Sequence, residues 1–504
     1  MMQPKDVDME IDLLSDEHVL PVDRETTATG LQVTGAIPKF LNGRYVRTGP
    51  NPLPGQYDPN NYSVFGATGD GMVHGVRLRD GRAEWYRSRW VRTPKVSRLL
   101  GEKPKPANYR AGVTTVSPQT NVYGFAGKTI VSAEGGLAPY ELNDDLETVG
   151  TCDFGRTLEG GYTGHPKLDP VTGELHAVTY QLVGPAMARY VVIGPDGTVR
   201  KSVPLDVPGR PLLHDIALSQ NYVMIFDCPL VIDLNLLTRK VAPASAPPFI
   251  TRMAAGLLGR FEPPALLGPL VAHAPLPKTA EVPLRWKASH PSRIGVIPRQ
   301  GPATVRWFEI EPCYVFHTLN AHEEDGTIVI DACRITGPED DSEYNIADVL
   351  GTGRPRLHRW EVDLETGVVK ESWTDERLQE FPMVDPRRVS LPHRYGFTTS
   401  VGDTDIDTLK SLDDARASLI RYDLTNGGTT EHKLEAGHIP GEFSPVPRSE
   451  DAEEGDGVLI GYEYDRSTRL SNMLILDAQS MEKLATIHLP ARIPFQFHGN
   501  WIPA

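Results

Sequence analysis

Histidine is the residue type in this sequence that offers most to metal chemistry. The chain has 15 histidines, and none forms an HExxH or HxxxH motif that would place two imidazoles on one helix face. A metal site must therefore collect its ligands from distant parts of the chain. Four histidines stand at the edges of apolar or aromatic strand-like runs: His165, His214, His317 and His498. Any one of them alone is more commonly a structural, hydrogen-bonded histidine.

Three glutamates stand in similarly apolar surroundings. Glu134 follows the run TIVSA, Glu380 lies in LQEFPMVD and Glu442 lies in IPGEFSPV. An isolated Glu in such a place usually marks a strand end or a solvated edge. Its functional interpretation is a carboxylate that accepts the N–H of a metal-bound imidazole and so fixes the tautomer of the ring. Four neutral imidazoles backed by carboxylates suit a borderline divalent ion such as iron.

The elements that must position these side chains are predicted to be β-strands. The 504 residues include 46 Gly and 44 Pro, a share well above the usual one that argues against a helical bundle. Asp80-Gly81, Asp325-Gly326 and Asn426-Gly427 each separate two strand-like runs, which is a hairpin signal. An antiparallel chain of this length needs closure to remove its sheet edges. The spacing favours an all-β fold, a divergent β-propeller, over an open sheet.

Charge and cysteine usage exclude several classes of protein. The formal net charge of −15 argues against a nucleic-acid partner. The four cysteines form no CxxC pair, which predicts a reducing, cytoplasmic compartment. No apolar run reaches the roughly 20 residues of a membrane span, and no protein partner is evident. Residues 1–20 are interpreted as an acidic segment, either a flexible tail or a closing strand, and residues 21–504 as a single propeller domain.

One segment departs from the β pattern. Residues 249–261 read FITRMAAGLLGRF, with apolar side chains at helical spacing, and an apolar stretch continues to residue 271 after Pro263-Pro264. A helix packed on the propeller and a helix that dips into one membrane leaflet both fit this pattern. The apolar positions are Phe249, Ile250, Met253, Leu257, Leu258 and Phe261.

An ordered series of short motifs runs along most of the chain. The motifs are GRYVRTGPNP (43–52), GDGMVHGVRL (69–78), TNV (120–122), AEGGLAPYEL (133–142), GGYTGHPK (160–167), LLHDIALS (212–219), FHTLNAHEEDG (316–326), QEFPMVD (379–385) and FHGNW (497–501). In this series the chain resembles the carotenoid cleavage oxygenases, the non-haem iron family that includes the retinal pigment epithelium isomerase.

The resemblance implies a fold, a cofactor and a ligand set. The fold is a seven-bladed β-propeller capped by a dome of loops and short helices, with Fe(II) on the propeller axis. Thr120 matches a position that projects toward the open coordination sites and limits what binds there. The implied iron ligands are His165, His214, His317 and His498, and the carboxylates that hydrogen-bond three of them are Glu134, Glu380 and Glu442.

The resemblance also implies an activity. The reaction is cleavage of one conjugated C=C bond of a carotenoid or apocarotenoid by O2, which gives two carbonyl products. Iron is the reactive centre, and no catalytic acid, base or nucleophile is assigned. Family members take such water-insoluble polyenes from a bilayer, which favours peripheral membrane contact through residues 249–271.

Three alternatives stay open at this point. Stilbene-cleaving members of the family carry a Lys directly before the first of the three glutamates, where this chain has Ala133, although Tyr109 could match a stilbene-site tyrosine. Isomerisation without oxygen uses the same metal ligands. A propeller that serves only as a binding platform would need neither the histidines nor the glutamates.

Overall fold

Strands form most of the regular structure of this chain. A computed structural model describes residues 17–58, 69–114, 116–181, 188–241, 247–258, 284–343, 354–400 and 416–504. The first strands in chain order are β1 (Thr27–Thr29), β2 (Gln32–Gly35), β3 (Gly43–Pro50), β4 (Gly71–Arg79), β5 (Arg82–Trp90), β6 (Asn121–Phe125), β7 (Lys128–Ser132), β8 (Tyr140–Leu142), β9 (Thr148–Thr151), β10 (Lys167–Leu168) and β11 (Leu175–Tyr180).

The remaining strands continue this pattern to the end of the chain. The next are β12 (Ala188–Ile193), β13 (Val199–Leu205), β14 (Ile216–Leu218), β15 (Tyr222–Asp227), β16 (Leu230–Ile232), β17 (Leu284–Trp286), β18 (Arg293–Pro298), β19 (Arg306–Glu309), β20 (Tyr314–Glu324), β21 (Thr327–Ile335) and β22 (Ser342–Glu343). The last are β23 (Arg356–Asp363), β24 (Val369–Trp373), β25 (Gln379–Val384), β26 (Tyr395–Ser400), β27 (Ser418–Asp423), β28 (Gly428–Lys433), β29 (His438–Pro447), β30 (Gly457–Asp465), β31 (Leu470–Asp477), β32 (Lys483–His488) and β33 (Gly499–Pro503).

Seven antiparallel sheets form the blades of a β-propeller, which confirms the predicted fold class. With the innermost strand first, the blades are β33-β3-β4-β5-β1, β6-β7-β8-β9, β10-β11-β12-β13, β14-β15-β18-β19, β20-β21-β23-β24, β25-β26-β27-β28 and β29-β30-β31-β32-β2. Inner strands of neighbouring blades contact one another, as β14 and β20 do, and β29 and β33. A further small sheet has the order β16-β17-β22.

Two features of the sequence explain these blades. The predicted turns have the positive backbone φ that favours glycine, with φ of 82° at Gly326 and 72° at Gly427. The middle strands of a blade are covered on both faces by neighbouring blades, so β21 is buried at eight of its nine positions, of which six are apolar and two are the charged residues Asp331 and Arg334. Pairing of the C-terminal strand β33 with β3 then closes the ring.

Helices are short in the described residues, and the predicted helix is confirmed over 249–258. The three α-helices are α1 (Pro94–Leu99), α2 (Leu234–Val241) and α3 (Pro248–Leu258), and 3-10 turns lie at Glu17–Val19, Tyr109–Ala111 and Pro386–Arg388. The predicted end at Pro263-Pro264, Phe261 and the apolar stretch to residue 271 lie outside the described residues. None of the described helices has the length and apolarity to cross a membrane.

Part of the N-terminal segment is also described. Residues 1–16 lie outside the described residues, whereas His18 is buried and stacks on Tyr464 with ring centroids 4.8 Å apart. The last residues before position 20 therefore pack against the final blade.

A histidine on β29, the innermost strand of the last blade, makes the stability of the fold depend on pH. His438 Nδ1 lies 3.1 Å from Glu463 Oε2 on the neighbouring strand, and that hydrogen bond raises the pKa of His438. The protonated ring therefore stabilises the fold below about pH 6.5, and this contribution is lost as pH rises through the raised pKa. We expect His438→Gln to lower the melting temperature more at pH 6 than at pH 8.5, by the equivalent of about 0.5–1 kcal/mol.

The control is His488→Gln, because the ring of His488 contacts the neutral side chain of Asn472 instead of a carboxylate. Thermal unfolding monitored by circular dichroism measures both variants. Equal losses for His438→Gln at the two pH values would contradict the interpretation.

Candidate metal centre

The four histidines singled out in the sequence meet where the inner strands begin. His165 and His214 each lie two residues before an inner strand, β10 and β14, and His498 directly precedes β33. His317 is the fourth residue of β20. One ring nitrogen from each histidine lies within 4.8 Å of those of the other three. The propeller therefore brings together four imidazoles from four blades.

Bulges in the inner strands help to aim these side chains. Between Val315 and Thr318, β20 carries one residue more than the facing stretch of β21, and His317 lies in this bulge. The same surplus of one residue begins at Glu380 in β25 and encloses Glu442 in β29. A bulge turns a side chain out of the regular alternation of its strand. The three strands use the same local irregularity at the same end.

Carboxylates hold three of the four rings in a single tautomer. Glu380 Oε2 lies 2.6 Å from His317 Nδ1, and Glu442 Oε1 lies 2.9 Å from His498 Nδ1. Glu134 Oε1 and Oε2 lie 3.0 Å and 3.2 Å from His214 Nδ1. Because a carboxylate can only accept a hydrogen bond, each Nδ1 must carry the ring hydrogen and donate the hydrogen bond. The Nε2 lone pair is then free to bind a cation.

The free nitrogens face one another, which is the arrangement a cation requires. His214 Nε2 and His317 Nε2 are 3.3 Å apart, and with Nδ1 protonated both carry lone pairs that repel. His165 Nε2 is buried and has no hydrogen-bond partner among the described residues, although Glu134 Oε1 is 3.2 Å away. Imidazole nitrogens are donors that suit a divalent first-row metal ion, and they bind it in the neutral form of the ring. The residues present therefore fit a metal.

Burial and the charges of neighbouring groups compete to set the protonation states of the centre. Burial lowers the pKa of His165 and of His498, so both rings favour the neutral form. Burial would raise the pKa of Glu134 and Glu442, but the adjacent histidines outweigh it and lower the pKa of both carboxyls. At His317 burial acts to lower the pKa, and the Glu380 carboxylate more than reverses it.

Arg47 adds a buried positive charge that the sequence analysis missed. Its Nε donates to Phe497 O at 2.8 Å and its Nη2 to Gln496 O at 2.7 Å, so it holds the two residues that precede His498. Gly441 makes room for it, because a Cβ there would lie 1.3 Å from Arg47 Nη1. A divalent ion and this guanidinium together would balance the three carboxylates. The only signal was membership of the motif GRYVRTGPNP.

Phe381 is a second residue that sequence reasoning missed. Its ring stacks on His317 with centroids 5.7 Å apart and meets His498 edge-on at the same distance. Its φ of 52° is unusual for a bulky residue, and its N–H donates to Glu380 Oε2 at 2.7 Å. The bulge that aims Glu380 thus also places an aromatic ring on two of the histidines. Its position directly after Glu380 was the available signal.

Thr120 contacts the backbone on which two of these histidines lie. Its carbonyl oxygen accepts the N–H of His498 at 3.0 Å. Its methyl group faces Gly164, the residue before His165, where a Cβ would lie only 2.5 Å from Thr120 Cγ2. Thr120 therefore touches the backbone that carries two of the four histidines.

The carboxylate contacts yield a direct prediction for metal affinity. Glu380→Gln replaces a charged acceptor with a neutral one, so His317 Nε2 becomes a weaker donor. We expect metal affinity to fall by about tenfold or more, measured by Co(II) titration. Glu323→Gln is the matched control, because Glu323 lies on β20, the strand of His317, but accepts hydrogen bonds from Ser219 and Asn221. Wild-type affinity in Glu380→Gln would contradict the role assigned to this carboxylate.

Comparison with known proteins covers nearly the whole chain. The family described as retinal pigment epithelial membrane protein matches residues 19–503. A carotenoid cleavage oxygenase of Mycobacterium tuberculosis is 43% identical over 501 residues, which cover 96% of each chain. A carotenoid 9,10(9',10')-cleavage dioxygenase of Crocus sativus is 28% identical over 534 residues, covering 97% of this chain and 88% of the relative.

The solved structures agree on the fold. The crystal structure of a lignostilbene dioxygenase from Pseudomonas brassicacearum aligns with a TM-score of 0.74 at 24% identity, covering 96% of this chain and 97% of that chain. The family match and the identity to the mycobacterial relative extend well beyond the motifs around the histidines. The chain belongs to the retinal pigment epithelial membrane protein family, the family of the carotenoid cleavage oxygenases.

Proposed function

We propose that this chain is a non-haem Fe(II)-dependent dioxygenase that cleaves one conjugated C=C bond of a carotenoid or apocarotenoid with O2 and releases two carbonyl products. The observation that carries the proposal is the convergence of four imidazole donors, three of them hydrogen-bonded to carboxylates, in a member of this oxygenase family. The names of the mycobacterial and plant relatives support carotenoid-type substrates.

The histidines and glutamates of the centre have different proposed roles. His165, His214, His317 and His498 would hold Fe(II), which when bound supplies a place and electrons for the activation of O2. Glu134, Glu380 and Glu442 fix the ring tautomers. Each carbon of the broken double bond gains one oxygen atom from O2, and no proton enters or leaves the balanced reaction. No side chain is therefore assigned as general acid, base or nucleophile.

Thr120 would control access to the iron positions that the four imidazoles leave open. It is partly exposed and is braced against Gly164 and the backbone of His498. A short branched side chain fixed at this point limits the size of what can approach.

The surroundings of Glu134 favour a polyene over a hydroxystilbene. A stilbene enzyme of this family uses a Lys before this glutamate, whereas Ala133 is buried and apolar here. Tyr109 lines a cavity of about 280 Å³ whose other residues do not belong to the metal centre: Pro94, Arg98, Glu102, Pro104, Lys105 and Ala107. The apolar Ala133 is therefore the residue that favours a polyene, and Tyr109 leaves the stilbene alternative to the product analysis.

Product analysis after anaerobic reconstitution with Fe(II) tests the proposal. The protein receives β-carotene, an apocarotenal or a hydroxystilbene in detergent micelles, air is admitted, and products are resolved by mass. We expect paired aldehydes or ketones from a polyene. His317→Ala should reduce turnover at least a hundredfold, because it removes a ligand.

The other outcomes identify the alternatives. Cleavage of the stilbene alone would overturn the carotenoid assignment. An isomerised polyene without cleavage would indicate isomerase chemistry. Protein that purifies without stoichiometric metal and cleaves nothing after reconstitution would indicate a binding platform.

Peripheral contact with a membrane follows from the exposed face of α3. Thr251 and Ala255 are buried, and the carbonyl of Thr251 accepts a hydrogen bond from Thr238 in α2 at 3.0 Å. The opposite face is apolar and points to solvent, with exposed fractions of 67% at Phe249, 42% at Ile250, 59% at Met253 and 50% at Leu257. An apolar face turned outward is costly in water and suits insertion into one leaflet. The side chains of Leu258 and Phe261, also proposed for this patch, lie outside the described residues.

The four cysteines, all unpaired and buried, support a reducing compartment. The proposed location is therefore the cytoplasm, at the surface of a membrane from which a water-insoluble polyene can be drawn.

Vesicle cosedimentation of the double variant Phe249→Ser/Leu257→Ser tests the membrane contact. Burial of each apolar side chain contributes about 1.5–3 kcal/mol, so we expect at least about a tenfold loss of binding to phosphatidylcholine–phosphatidylglycerol vesicles. Val171→Ser/Val368→Ser is the control, because these valines are 69% and 54% exposed at turns elsewhere. Equal binding of the two double variants would show that the exposed apolar face of α3 does not mediate membrane contact.

A further inference from the structure

The carboxylate of Asp215 joins residues that follow three of the four histidines. Asp215 itself comes directly after His214. Its Oδ2 accepts a hydrogen bond from Lys167 Nζ at 2.9 Å, and Lys167 lies two residues after His165. The same oxygen accepts from the N–H and Oγ1 of Thr318 at 2.8 Å and 2.9 Å, and Thr318 comes directly after His317.

The Asp215 carboxylate is buried, and both of its oxygens accept hydrogen bonds. The side chain of Asp215 is 1% exposed and that of Lys167 is 22% exposed. The second oxygen, Oδ1, accepts the N–H of Ile216 at 2.7 Å, and Thr318 Oγ1 also lies 2.9 Å from the carbonyl of Ile216. A buried charge pair of this kind is costly to break by removal of one partner, because the other charge stays in a medium of low dielectric constant. The geometry of the junction is thus strongly held.

The carboxylate of Asp215 accepts no hydrogen bond from any of the four rings: its partners are Lys167, Ile216 and Thr318. Its hydrogen bonds reach the centre through β10, β14 and β20, the inner strands at or beside which His165, His214 and His317 lie, and its charge also acts on His317 through space. The fourth histidine, His498, is held separately by Glu442 and by the contacts of Arg47.

We propose that Asp215 is a positioning residue that ties these three inner strands together, so that His165, His214 and His317 keep the mutual spacing that one metal ion requires. The inference rests on the proposed metal function of the centre. In the absence of the Asp215 junction, the backbones that carry these three histidines would lose a direct link to one another, and the small displacements that follow would lower the affinity for metal.

Co(II) titration of the full chain tests this role, because the visible ligand-field absorption of Co(II) reports its coordination geometry as well as its affinity. Asp215→Asn keeps the shape of the side chain and an acceptor for Thr318 but leaves Lys167 without its counter-charge. We expect Co(II) affinity to fall about tenfold or more and the absorption bands to shift. Thr318→Val, which removes only the hydroxyl contact, should show a smaller change in the same direction.

A matched control separates positioning from general stability. Asp331 is as buried as Asp215 and forms a two-point pair with Arg359 at 2.8 Å and 2.9 Å, between the second and third strands of its blade. We expect Asp331→Asn to lower the melting temperature while its Co(II) affinity and spectrum stay those of the wild type.

Three results would overturn the inference. Wild-type affinity and spectrum in Asp215→Asn would do so, and if that variant does not fold, the same finding for Thr318→Val decides the question. Equal losses of affinity in Asp331→Asn would reduce Asp215 to a stabilising residue. Wild-type protein that binds no Co(II) would remove the proposed metal site and this inference with it, so the two failures are distinguishable.

Discussion

The structure depends on one constraint, the approach of four imidazole nitrogens to one another inside a buried space. His214 Nε2 and His317 Nε2 lie 3.3 Å apart, and lone pairs at that distance repel. A cation between the rings removes the repulsion, but the rings must stay in place for the cation to bind. The carboxylates supply that restraint from outside, because each pulls an Nδ1–H away from the centre. The negative charge of each carboxylate is thus separated from the metal position by an imidazole ring, whereas in a carboxylate-ligated site it contacts the metal directly.

A propeller suits this constraint because its inner strands converge on one axis. Each blade contributes the start of an inner strand, and a bulge there turns a side chain inward, as at His317 and Glu442. Closure of the ring by β33 on β3 brings His498 to within reach of His165, more than 300 positions earlier in the chain. One of the four candidate metal ligands therefore lies directly before the strand that closes the ring. Arg47, on β3, holds the residues that lead into it.

Local patterns in the sequence predict the fold class but identify only part of the candidate metal centre. Asp-Gly turns and continuous apolar strands predict an all-β chain, since each depends on neighbours in sequence. The helix at 249–258 follows from spacing in the same way. The grouping of the four histidines came from resemblance to a family, because ligands hundreds of residues apart leave no periodic signal. Arg47, Phe381 and Asp215 had no such signal either: their roles depend on contacts across blades, such as the packing of Arg47 on Gly441.

The central claim is that this centre adds both atoms of O2 across one double bond. Cleavage of the polyene under ¹⁸O2 tests it most directly, with rapid borohydride reduction of the carbonyl products to stop exchange of their oxygen with water. We expect one ¹⁸O atom in each of the two products. Label in only one product, or cleavage with no label at all, would contradict it.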